Sequence, residues 1–216
     1  MIRLEIPGGD TGARTVLCLG AHSDDIEIGC GATLLQLKKR YSGIKFHWVV
    51  FSAGGVRGRE AKRAAELFTS GCDSTVILKE YRDGFLPYTG TDVKGFFEEL
   101  KGLVEPDLIF THWGKDAHQD HRLVSELTWN TFRNHMILEY EIPKYDGDLG
   151  RPNVFVPIEE PFHRTKVDYL FEAFETQAQK RWFDRETFLG LMRIRGMECN
   201  AASGYAEAFH ARKIVL

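Results

Sequence analysis

Two short stretches of this chain carry the residue types that hold metals and move protons. One is Ala21-His22-Ser23-Asp24-Asp25-Ile26-Glu27, and the other is His118-Gln119-Asp120-His121. A catalytic zinc takes three protein ligands and keeps a further position for water. His22, Asp25 and His121 supply a His-Asp-His set of that kind. His22 and Asp25 stand three residues apart across a turn into a helix pattern, so both can face one point. His118 and His121 are also three apart and share one side of a helix. Zinc in such a set lowers the pKa of its water to about 7 and polarises a substrate carbonyl. Asp24, beside a ligand yet outside the set, is the expected general base. His118 is the expected stabiliser of the oxyanion and helper of a leaving amine. Asp120 is expected to orient His118 by accepting a ring proton. Mixed imidazole and carboxylate donors favour zinc, and Fe2+ or Co2+ suits the same set.

Each of these residues also has a plainer use. Ser23, Asp24, Asp25 or Asp120 can cap a helix, and His121 can sit exposed in a first helical turn. His112 competes as a ligand, but its place at a strand end beside Trp113 suits a structural or pocket-lining role. What favours a site is that both stretches follow strand patterns. Arg14 to Gly20 reads as a strand with Val16, Leu17, Cys18 and Leu19 continuous and apolar. Such strands belong to sheets covered on both faces. The helix pattern after it ends in Lys38-Lys39-Arg40, cations suited to a helix C-terminus.

Further strands are predicted over Ile44 to Phe51, Ser74 to Leu78 and Leu108 to Thr111. Helices are predicted over Arg59 to Phe68, Asp92 to Val104 and roughly Arg122 to Arg133. This rhythm predicts an α/β, Rossmann-like three-layer fold, a mostly parallel sheet with helices on both faces. Right-handed crossovers put the strand C-termini along one edge. Ligands gather there, where strand order reverses, so the two stretches are expected to meet. Past residue 134 the rhythm weakens. Short strands are expected at Ile137 to Ile142, Val154 to Val156 and Lys213 to Leu216, and an edge strand at Ile2 to Ile6. Helices are expected over Lys166 to Phe174 and Asp184 to Met197.

The 216 residues fit one domain over 1–216. A net charge of -3 leaves no electrostatic footprint for nucleic acid. No stretch approaches the roughly 20 apolar residues of a membrane helix. Cys18, Cys30, Cys72 and Cys199 form no Cys-x-x-Cys pair, which argues against zinc-ribbon and thioredoxin-like chemistry. The opening residues carry no long apolar segment, so a cytoplasmic location is expected. The expected partner is a small molecule, with no nucleic acid and no membrane. Oligomeric state is not legible.

The two stretches resemble the motifs of the zinc-dependent PIG-L/LmbE-like de-N-acetylase family. Those motifs are Ala-His-Pro-Asp-Asp with a nearby Glu, and His-Pro-Asp-His or His-Gln-Asp-His. The resemblance implies removal of an N-acetyl, or related N-acyl, group from an amino-sugar-containing substrate. It implies zinc on His22, Asp25 and His121, Asp24 as base and His118 at the oxyanion. Arg57-Gly58-Arg59-Glu60-Ala61 looks like the family's Arg-x-x-Glu-Ala segment and implies that Arg57 reaches substrate. On the plainer reading Glu60 and Arg63 are solvated helix charges. Tyr205-Ala206-Glu207-Ala208-Phe209 looks like a C-terminal segment that closes over the site, and Asp116 would support the second loop. Ser23 stands where the family usually has Pro, freeing a φ that Pro holds near about -65°.

Two rivals differ in class. A nucleotide-binding module needs Gly-x-Gly-x-x-Gly after the first strand, where this chain has His22, Asp24 and Asp25. A catalytically silent, metal-containing carbohydrate-binding protein of the same fold is the alternative. Asp24 argues against it, because a purely structural metal has no need of a second, free carboxylate.

Overall fold

The structure, a computed structural model, describes residues 14–214. The edge strand expected at Ile2 to Ile6 lies outside the described residues. So do the last two residues of the strand expected at Lys213 to Leu216; its first two are in no regular element.

The strands are β1 (Thr15–His22), β2 (Lys45–Ser52), β3 (Asp73–Leu78), β4 (Leu108–His112), β5 (Met136–Tyr140), β6 (Val154–Pro157) and β7 (Ala206–His210). The helices are α1 (Asp25–Arg40), α2 (Gly55–Thr69), α3 (Gly90–Leu103), α4 (Gln119–Thr131), α5 (Phe162–Ala173) and α6 (Arg185–Glu198). Among the described residues the strands form one seven-stranded sheet in the order β3-β2-β1-β4-β5-β7-β6. The first five are parallel. β7 runs antiparallel to both β5 and β6. Two helices, α5 and α6, lie between β6 and β7, so the chain returns reversed. The sheet is therefore mixed but mostly parallel, as the rhythm predicts.

Side-chain parity explains why the central strands are apolar throughout. Val16, Cys18, Phe46, Trp48, Val50 and Phe110 pack with α1, α2, α5 and α6 on one face. Leu17, Leu19, Val49, Phe51, Ile109 and Ile137 pack with α3 and α4 on the other. Burying one such large side chain contributes about 1.5–3 kcal/mol, so the two cores, rather than the polar site, hold the frame.

The chain leaves β1 for β2 and β3 on one side, then crosses to β4 on the other. This reversal opens a crevice at the carboxyl ends of β1 and β4. His22 is the last residue of β1 and His112 the last of β4. α1 lies close over this edge because Gly29 has no side chain. A Cβ there would come 2.2 Å from the Tyr140 ring. Among the described residues no helix is long and apolar enough to cross a membrane.

Candidate metal centre

β1 passes into α1 through a corner of Ser23 and Asp24. The His22 N–H donates to Asp25 Oδ2 at 2.6 Å, closing the corner. Ser23 is fully buried, its hydroxyl 3.5 Å from the Ser52 carbonyl. Packing thus holds the turn where proline is missing. On the other side, α4 starts at Gln119 with His118 as its N-cap.

Two imidazole nitrogens and the two oxygens of the Asp25 carboxylate converge. His22 Nδ1 lies 3.1 Å from His121 Nε2 and 3.3 Å from Asp25 Oδ2. His121 Nε2 lies 3.5 Å from Asp25 Oδ1. Donors about 2.0–2.1 Å from a tetrahedral metal stand about 3.3–3.4 Å apart, so these separations fit one ion. The second nitrogen of each histidine faces a carboxylate. His22 Nε2 is 3.2 Å from Asp120 Oδ2, and His121 Nδ1 is 3.0 Å from Asp116 Oδ2. Such partners fix the tautomer and orientation of metal-binding imidazoles. Lys144 Nζ stands 2.9 Å behind, on Asp116 Oδ2.

Among the described residues, three further groupings share members with it: His22, His118 and His121; Asp25, His112 and His121; and His22, Asp83 and Asp120. His112 stacks on His121 with ring centres 3.9 Å apart, and its Nε2 accepts the Ala21 N–H at 2.9 Å. That bond makes His112 a wall of the site. Asp83, exposed after β3, puts Oδ1 3.2 Å from His22 Nε2. Asp83 is not among the candidate residues that the two His/Asp stretches supply. Its place after the third parallel strand, at the same sheet edge, was the available signal.

Asp120 departs from its expected partner. Its side chain does not take a proton from His118. Instead the Asp120 backbone N–H donates to His118 Nδ1 at 3.2 Å, because the His118 ring serves as helix cap. The buried Asp120 carboxylate accepts from the N–H groups of Gly84 at 2.7 Å and Leu86 at 3.1 Å. It ties the loop after β3 to His22.

Asp24 occupies the N-cap position of α1 without a capping hydrogen bond. Its Oδ1 accepts from Arg57 Nη2 at 2.7 Å, and its buried Oδ2 has no partner. Arg57 Nη1 also donates to Glu60 Oε2 at 3.0 Å and to Thr176 Oγ1 at 3.2 Å. The guanidinium expected on substrate is thus seated on Asp24. Glu60 is buried and bound to Thr176 rather than solvated. Arg63 does lie at the surface, paired with Glu172. The segment expected to close over the site is strand β7. Glu207 is buried there against the middle of α1.

The electrostatics follow from burial and close charges. Burial pushes the Asp25 carboxyl up, but His121, His112 and His22 outweigh it and hold it well below the usual range. Burial lowers the His22 pKa, yet Asp25 and Asp120 raise it well above the ordinary value. Asp24 is raised by burial against the opposing pull of Arg57. His118 is lowered by burial and by His121 and His22. Glu27, with neither oxygen partnered, is pushed well up by burial.

The fold and cluster define a class: an α/β domain with a His/Asp site, able to hold a metal, at its switch point. The chain belongs to the PIG-L family (GlcNAc-PI de-N-acetylase), whose sequence profile matches residues 17–132. It is 30% identical over 168 residues to the uncharacterized deacetylase YaiS of Escherichia coli (strain K12), covering 73% of this chain and 89% of that protein. The structure is similar to that of N,N'-diacetylchitobiose deacetylase from Pyrococcus horikoshii, with a TM-score of 0.72, 20% identity, and 96% and 86% of the two chains covered. It is also similar to GalB, the 4-carboxy-2-hydroxymuconate hydratase of Pseudomonas putida KT2440, with a TM-score of 0.69, 18% identity, and 94% and 98% covered.

Proposed function

We propose that the protein is a zinc-dependent hydrolase that removes an N-acetyl group from a small amino-sugar-containing substrate, with the metal on His22, Asp25 and His121. The observation that carries this reading is the pair of histidines, each backed by a carboxylate, converging with Asp25. Zinc bound there would supply Lewis acidity and a more acidic water.

The chain's own groups supply the proton chemistry. Asp24 takes the proton of the attacking water at Oδ2, while Arg57 holds Oδ1 and stops the carboxylate from turning. Burial raises Asp24 toward the range where a general base works at neutral pH. His118 has Nδ1 committed to the Asp120 N–H, so its neutral ring carries its proton on Nε2. From there it donates to the carbonyl oxygen as negative charge develops. As water adds and the C–N bond breaks, the leaving nitrogen takes the proton held by Asp24. Acetate and a free amine are released. In this reading Arg57 acts through the base rather than by gripping substrate.

The substrate class is supported by the family description and by the chitobiose deacetylase among its structural neighbours. The hydratase neighbour means that the assay must read the product itself. Zinc-loaded protein is to be offered N-acetylated free sugars, glycosides and sugar nucleotides, with acetate as the readout. Asp24→Asn is expected to lower kcat by about 10²–10⁴-fold with bound zinc unchanged. Absence of acetate from every N-acetyl sugar would overturn the hydrolase reading. Sugar binding by the same inactive protein would then favour the silent alternative.

A further inference from the structure

A buried charged pair outside the metal centre is built into the backbone of α1. Glu207, on β7, accepts from the Ala32 N–H at 3.0 Å and the Thr33 N–H at 2.6 Å. Lys166, on α5, donates to the Ile28 carbonyl at 2.6 Å and to Glu207 Oε1 at 2.6 Å. Lys166 and Glu207 are only 2% and 4% exposed.

In a regular helix the Ala32 N–H and the Ile28 carbonyl are each other's partners. Here each receives a charged side chain from another element. Side chains that enter the ladder bend or divide helices. A carboxylate on free amides is what suits a helix N-terminus, and a cation on a carbonyl is what suits a C-terminus. α1 nevertheless runs unbroken from Asp25 to Arg40, so the pair places charge on its backbone one turn beyond the residues that carry the site.

The junction is gripped from the sheet as well. Gly29 lies against the Tyr140 ring, and the Tyr140 hydroxyl donates to the Leu19 carbonyl at 2.6 Å. A buried ion pair is weak evidence for added stability, because desolvation offsets most of its attraction. This pair spends its hydrogen bonds on the α1 backbone, next to the turn that presents Asp24 and Asp25.

We infer that Lys166 and Glu207 are positioning residues that set the first turn of α1, and with it Asp24 and Asp25, relative to the two histidines. The inference rests on the metal-site reading above. Glu207→Gln and Lys166→Met are the test variants. Glu207→Gln keeps side-chain size and an amide acceptor. Arg195→Met is the control, since it breaks a different buried pair, with Glu141, that has no bond to α1.

The readouts are zinc affinity by chelator competition, kcat and KM separately, and amide hydrogen exchange across 25–33 in metal-free protein. Both test variants are expected to bind zinc about 10-fold more weakly. They should lose kcat with KM unchanged, and exchange faster in the first turn of α1. The double variant should be no worse than the singles, as for groups acting as one unit. Arg195→Met should lose thermal stability while keeping zinc affinity.

Folded test variants with zinc affinity and kcat within twofold of wild type would overturn the inference. So would a control that loses as much affinity as they do. If wild type binds no zinc, the metal-site reading fails instead. The exchange measurement then decides the positioning role, since unchanged protection in the first turn of both variants overturns it.

Discussion

Asp116 shows how one side chain reaches the proposed metal centre without entering it. It stands between His121 Nδ1 and Lys144 Nζ, and His121 outweighs burial to hold its carboxyl far below the usual range. Losing a carboxylate behind a ligand histidine costs about 10–100-fold in metal affinity. Asp116→Asn is expected to weaken zinc by that much in chelator competition, with activity recovering in excess zinc. His163 makes a separate prediction. It is buried, stacks on Tyr205 with ring centres 4.1 Å apart, and neither nitrogen has a partner. Burial lowers its pKa. The unfolded histidine, at about 6.5, therefore binds a proton before the folded one does. Stability is intact above that value and falls as the pH drops below it. His163→Phe keeps a flat ring and removes the titration. Scanning calorimetry should find it matching wild type at pH 8 and melting a few degrees higher at pH 5, since about 1 kcal/mol moves Tm by about 2–4 °C at this size.

At the scale of elements, α1 is where local preference and packing oppose each other. Replacing Gly29 by Ala in an isolated helix gains about 1 kcal/mol of propensity. Here the new Cβ would stand 2.2 Å from the Tyr140 ring. Overpacking of this kind costs about 1–3 kcal/mol, and a clash so deep falls at the upper end. Gly29→Ala is expected to lower the urea midpoint; a raised midpoint would show that the helix can move off the sheet freely. Element existence was legible because β1, β2 and β4 each carry an apolar run and α3 is amphipathic. Boundaries were less so. α2 begins at Gly55 rather than Arg59, because Gly54 serves as its N-cap and Gly55 takes φ of +60°, which glycine allows. α4 begins before Arg122 because the His118 ring supplies the cap, a use of histidine that spacing does not signal.

For the whole molecule, the proposed metal centre joins segments far apart in the chain. His22 and Asp25 come from β1 and α1, and His121 comes from α4. A ligand that binds only the folded state stabilises it by about 2.7 kcal/mol at 100 times its Kd. Adding zinc to chelator-treated protein is expected to raise Tm by about 5–11 °C on that scale. The gain should shrink at pH 5, because protons compete with zinc for ligands that bind it only when deprotonated. A Tm indifferent to zinc would count against the centre.

The α/β class and the two stretches that meet at the switch point were legible in the order of residues along the chain. Apolar strand runs and the His/Asp spacing are local properties, and handed crossovers leave one edge for them to share. Tertiary structure alone decided what each polar group faces. Arg57 lies on Asp24, Asp120 on the loop after β3, His112 against the Ala21 amide, and Glu207 inside α1 rather than over the site. Those pairings join elements whose approach is set by side-chain packing and the need to satisfy buried polar atoms. No spacing along the chain encodes that approach.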